Sequence, residues 1–131
     1  MAVTVPTRVQ GERVVISRAI TSADAATTVV AIDIPAGTLI PAYGVSLWVK
    51  TAMAGGTPSY TVGDSDAVDT WLASADITEA TAGLYNSAAQ DKSPSGKYYS
   101  AANSIQVVVT TGLTSGECYV IARMIDVSDW A

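Results

Sequence analysis

Between Tyr43 and Met53 the chain alternates, with Val45, Leu47 and Val49 on one side and Ser46, Trp48 and Lys50 on the other. A period of two places these groups on opposite faces of a strand, whereas a helix would scatter them around its circumference. The alternation recurs in short pieces. Val14–Ile20, Thr27–Ile34, Thr38–Ile40, Ser59–Val62, Lys97–Ser100, Ser104–Thr111 and Glu117–Val127 each read as extended, separated by turns such as Pro35-Ala36-Gly37 and Ala54-Gly55-Gly56-Thr57-Pro58. Composition points the same way: 16 Val, 9 Ile and 15 Thr stand against 5 Leu and no Phe. β-branched residues lose rotamer freedom on a helix and fit a pleated surface.

The expected architecture is therefore all-β: a single antiparallel β-sandwich domain of jelly-roll type over residues 13–131, with about eight strands. This arrangement buries one face of each sheet and limits free edges. Glu117–Val127, the longest piece and apolar on both faces, is expected to be central. Residues 70–90 admit two readings, a short helix opened by the capping-box pattern Asp76-Ile77-Thr78-Glu79 or an Ala-rich strand. Residues 1–12 read as an extended N-terminal arm, in which Val3 and Val5 alternate with Thr4 before Pro6 and Gly11 interrupt regular pairing.

Much chemistry is excluded by what the chain lacks. There is no histidine, which removes Ser-His-Asp and Cys-His machinery together with the commonest transition-metal ligand. A Ser-x-x-Lys dyad fails as well, because Leu47, Ala89 and Pro94 stand three before Lys50, Lys92 and Lys97. Gly96-Lys97 is not a phosphate loop, since Asp91 holds the leading glycine position and Tyr98 follows the lysine. We therefore expect no enzyme, no catalytic residue and no cofactor. A net charge of −5 argues against nucleic acid, whose binding runs on phosphate neutralisation by Lys and Arg. The charge is uneven: Arg8, Arg13 and Arg18 against Glu12 give residues 1–18 a charge of +2, leaving −7 for the rest.

No stretch approaches the roughly 18 apolar residues of a membrane span, and Met1-Ala2-Val3-Thr4 lacks the basic start and apolar core of a signal peptide. A product that is cytosolic when made is the expectation, without membrane contact. Cys118, the single cysteine, has no intramolecular partner and reads as a small strand residue. Asp64, Asp66 and Asp69 could supply oxygen ligands to Ca²⁺. Their loop, however, has Asp69 and Ala75 where an EF-hand needs its glycine and its final acid, and turn chemistry accounts for aspartates beside Gly and Ser. No metal is expected. Trp71, Tyr85, Tyr98 and Tyr99 could form a carbohydrate platform, but adjacent Tyr98 and Tyr99 face opposite sides of a strand and cannot both belong to one surface.

Four runs carry a resemblance: Ile32-Asp33-Ile34-Pro35-Ala36-Gly37-Thr38-Leu39-Ile40, Val45-Ser46-Leu47-Trp48-Val49, Thr61-Val62-Gly63-Asp64-Ser65-Asp66 and Gly96-Lys97-Tyr98-Tyr99-Ser100-Ala101-Ala102. Together they resemble small β-sandwich structural proteins of tailed bacteriophage virions, most of all capsid decoration, or cement, proteins. What the resemblance implies is a protein bound to the outer capsid surface, with the major capsid protein and further copies of itself, as a trimer, for partners. A virion-displayed glycan- or receptor-binding module and a tail or neck component are the alternatives. Within that reading the arm adds to a neighbour's sheet edge through Val3 and Val5. Arg8 and Arg13 pair with capsid carboxylates, and Trp130, close to the last residue, docks at an intersubunit contact.

Overall fold

The computed structural model describes residues 12–86, 96–110 and 112–128. Ten strands lie among them: β1 (Glu12–Ile16), β2 (Ile20–Thr21), β3 (Thr28–Ile34), β4 (Thr38–Ile40), β5 (Val45–Ala54), β6 (Tyr60–Gly63), β7 (Gly83–Asn86), β8 (Lys97–Tyr99), β9 (Asn103–Val109) and β10 (Ser115–Asp126). They form two antiparallel sheets. The larger runs β7-β5-β10-β4-β8, with β1 and β2 also on β10, and the smaller runs β3-β9-β6. The all-β expectation and its two sheets hold. The strands beyond the expected eight are the two-residue β2 and β7, the latter falling in the stretch with two readings.

β10 organises the large sheet. On one side Glu117 and Cys118 pair with β2, and Ile121 to Ile125 pair with β1. On the other, Ser115 to Ala122 pair with β5, and Ile125 and Asp126 pair with β4. Its length, 12 residues, lets it serve two successive strands along each edge. Cys118, Val120, Ala122 and Met124 point inward and are buried, and burial pushes the Cys118 thiol up to about 12. The outward set, Tyr119, Ile121 and Ile125, is half-buried and Arg123 is exposed. β10 is thus central, as its two apolar faces suggest.

One core joins the sheets. Val45, Leu47 and Val49 of β5 and the inward residues of β10 meet Ile105, Val107 and Val109 of β9, together with Tyr60 and Val62 of β6. β3 reaches this core by changing phase. Val29 points inward and Val30 is exposed, then a register shift between Val30 and Ile32 turns Ile32 and Ile34 inward. A bulge adds one residue to one strand, which is enough to flip every later side chain to the other face.

Of the stretch 70–90, residues 70–86 are described, and they form neither a helix nor one continuous strand. The Asp76 carboxylate accepts from the Ala73 N–H at 2.8 Å and closes a 3₁₀ turn over Ser74–Asp76, so it ends a turn instead of opening a helix. A short strand then follows, where Leu84 pairs with Trp48 and Tyr85 with Leu47. Among the described residues no helix is long and apolar enough to cross a membrane.

Candidate functional site

The turn after β6 carries the most concentrated polar structure in the domain. Gly63 ends the strand and the chain folds back, with the Asp64 N–H donating to the Ala67 carbonyl at 3.0 Å. A β-carbon at Gly63 would stand 2.1 Å from the Ala67 carbonyl oxygen and 2.4 Å from the Val68 carbonyl carbon. Both obstacles are backbone and cannot swing away. Gly63→Ala is expected to destabilise the fold by about 2–3 kcal/mol, the upper range for overpacking; urea unfolding measures it, and a loss under about 0.5 kcal/mol would show that the turn yields.

Within this turn the Asp64 carboxylate is sealed from water, its side chain 0% exposed. Oδ1 accepts from the Asp66 and Ala67 N–H groups at 2.9 and 3.1 Å and from the Thr70 hydroxyl at 3.0 Å. Oδ2 accepts from Lys97 Nζ at 2.7 Å and from the Tyr99 hydroxyl at 2.6 Å. Burial on its own would push the carboxyl up. The Lys97 ammonium, the Tyr99 hydroxyl and the two N–H groups outweigh it and hold Asp64 down at about 2. A buried carboxylate with this many donors is stable only because each lone pair is answered.

The donors come from distant sequence. Lys97 and Tyr99 stand two apart on β8, so both side chains point inward across the sandwich, while Tyr98 between them faces out and is exposed. Lys97 also binds Asp66 Oδ2 at 2.8 Å and lies 4.9 Å from the centroid of the Tyr99 ring. Burial opposes the Lys97 charge, but Asp64 and Asp66 raise its pKa overall. Tyr99 in turn accepts from Trp71 Nε1 at 3.2 Å, and burial plus the Asp64 carboxylate keep its hydroxyl protonated. The line Trp71–Tyr99–Asp64–Lys97–Asp66 thus runs from the core to the surface. There it borders an open depression of about 340 Å³ lined by Ser65, Asp66, Lys97 and Asn103.

Of the three aspartates considered as Ca²⁺ ligands, Asp64 and Asp66 converge on the Lys97 ammonium, which occupies the position between them, and Asp69 is half-buried later in the loop. Among the described residues no group of three His, Cys, Asp or Glu side chains is placed to hold a metal ion. The aromatic platform does not form. Trp71 and Tyr99 are buried, Tyr85 is half-buried with its hydroxyl donating to the Thr81 carbonyl, and Tyr98 alone is exposed. Arg13 sits exposed on β1 opposite Met124, at an edge of the large sheet. Val3, Val5, Arg8 and Trp130 lie outside the described residues; Glu12, the last arm residue, is the first of β1 and pairs with Arg123.

Sequence reasoning passed over a second surface, the outer face of the large sheet. There Leu84, Trp48 and Tyr119 lie side by side on β7, β5 and β10, and Ile16 neighbours Ile121 across β1 and β10. Leu84, Val14 and Ile16 are 62%, 63% and 57% exposed, and Trp48 stacks on Tyr119 with ring centroids 5.3 Å apart. The signal was present in Val14, Ile16 and Trp48, but alternation alone does not say which face of a strand is covered.

No protein-family model and no curated protein sequence matches the chain. Among solved structures it is similar to a chain described as the cyanophage Pam1 capsid asymmetric unit, with a TM-score of 0.64 and 13% identity, over 95% of this chain and 93% of that one. At that identity the likeness establishes a shared fold over nearly the whole of both chains.

Proposed function

We propose that the chain is a non-enzymatic virion structural protein, a jelly-roll-type decoration protein that binds the outer surface of an assembled phage head and stabilises it by bridging capsomers. One observation carries the reading: an end-to-end fold match to a chain from a phage capsid. The virion resemblance of the four sequence runs supports it independently. So does the chemistry, since the densest polar cluster among the described residues is an internally hydrogen-bonded network that locks a turn.

The physical logic is linkage. A protein that binds the assembled state and not the free subunit shifts the equilibrium toward assembly, and many copies each adding a modest free energy suffice. The partners are the major capsid protein and other copies of this chain, and the location is the virion. Attachment runs through the arm, with Arg13 at its root on an open sheet edge, where an extended segment can gain main-chain hydrogen bonds from a neighbour.

Mixing the purified protein with undecorated, tailless heads and pelleting the heads is the test. The full chain is expected to pellet with heads. A form lacking residues 2–11 is expected to melt within about 2 °C of the full chain, because Pro6 and Gly11 interrupt regular pairing within the arm. It should also decorate heads at least tenfold more weakly, with the residual binding more salt-sensitive where exposed charge pairs contribute. Protein left in the supernatant with heads but pelleting with tails would assign it to the tail or neck instead.

A further inference from the structure

The outer face of the large sheet groups exposed Val14, Ile16, Trp48 and Leu84 around half-buried Tyr119 and Ile121, a contiguous apolar patch instead of scattered surface hydrophobics. Charges flank this patch along β10, Arg123 being paired with Glu12 within the chain. On β10, Glu117 and Arg123 lie on this same face at either side of Tyr119 and Ile121: the Tyr119 hydroxyl donates to Glu117, and Arg123 stands beside Val14. Moving two residues outward from Tyr119 meets an acid, and two outward from Ile121 meets a base.

We propose that this face is the contact between two copies of the chain, packed sheet to sheet about a two-fold axis that crosses β10 between Tyr119 and Ile121. Such an axis reverses strand direction while keeping each strand over its counterpart. Glu117 of each copy then faces Arg123 of the other, twice per pair, and Tyr119 faces Ile121. An isologous interface must be complementary to itself, and opposite charges equidistant from an apolar centre meet that requirement. Sheets pack face to face about 10 Å apart with interdigitating side chains, which suits the exposed Ile16, Val14, Trp48 and Leu84. Arg123 already pairs with Glu12 through Nε and Nη2, leaving Nη1 to reach across. The pairing does not depend on the virion reading, since it belongs to the isolated chain.

Sedimentation equilibrium at micromolar concentration tests it. The wild-type chain is expected at twice its 13.5 kDa mass. Trp48→Glu, or Ile16→Lys should the first fail to fold, is expected to weaken pairing at least a hundredfold while the circular dichroism spectrum stays that of the wild type. Glu117→Arg alone should weaken it about tenfold, and Glu117→Arg combined with Arg123→Glu should restore it, because the reversed pair faces itself again across the axis. A monomeric wild type, a trimer, or a dimer indifferent to Trp48→Glu would overturn the proposal. So would a charge reversal that the second substitution fails to rescue. A monomer whose Trp48→Glu variant no longer pellets with heads would give the face to the capsid instead, and would overturn the pairing equally.

Discussion

Asp64→Asn is expected to remove about 3–5 kcal/mol of stability, the range for breaking a buried charged pair. The substitution keeps the shape and loses the fit. The Asp66 and Ala67 N–H groups, the Thr70 hydroxyl, Lys97 Nζ and the Tyr99 hydroxyl all reach the carboxylate as donors. An amide NH₂ must therefore confront donors on one side or the other, and a buried unmatched donor carries its full desolvation cost. For a domain of this size the melting temperature should fall by roughly 10–15 °C. The effect depends on pH. Asp64 titrates near 3.8 when unfolded and about 2 when folded, so its stabilisation is complete above about pH 5 and is lost as pH falls toward 2. Urea unfolding of both forms at pH 7 and near pH 2 is the measurement. The gap between them should shrink by about 2 kcal/mol at the acid end, following the free-energy value of the shift. A variant within 1 kcal/mol of wild type at pH 7 would mean that the network is incidental to the fold.

Trp71→Ala is the other large effect, expected at about 3–5 kcal/mol. Trp71 is the bulkiest fully buried side chain, and its Nε1 is the donor that fixes the Tyr99 hydroxyl toward Asp64. Trp71→Phe separates the two contributions: most of the apolar volume stays, the hydrogen bond goes, and the loss should be about 1–2 kcal/mol. Because Trp71 and Asp64 share Tyr99, the double substitution should fall short of the sum of the singles by at least 0.5 kcal/mol. Strict additivity in a double-mutant cycle would show that the relay through Tyr99 is not energetically coupled.

The strands of the core were legible because Val45, Leu47 and Val49, or Ile105, Val107 and Val109, repeat at a period that one buried face enforces. β7 was not, since Gly83-Leu84-Tyr85-Asn86 is too short to show a period and is held by β5 next to it. In β1 the alternation of Val14 and Ile16 with Val15 and Ser17 was plain, but which set faces inward is decided by β10. The hydroxyl of Ser17 accepts the Val120 N–H at 2.9 Å, so the polar side chain goes in and two β-branched apolar ones stay out. The aspartates were noticed for the wrong partner. Nothing local to Gly63-Asp64-Ser65-Asp66 announces a lysine 33 positions away, and that contact exists only because β8 lies across the sandwich from the turn.

The position of β10 has a consequence for how the chain is made. Strands β1, β2, β4 and β5 all hang from a strand that leaves the ribosome after every one of them, and Glu12 waits 111 residues for Arg123. During synthesis the small sheet of β3, β6 and β9 can close without β10, and β4 can pair with β8 and β5 with β7, but the large sheet cannot be joined. Meanwhile β1 and β2 have no strand to pair with and β4 and β5 each keep an open edge, the condition under which nascent chains aggregate and chaperones become necessary. Synthesis rate and temperature should therefore govern soluble yield more strongly than the finished domain's stability does.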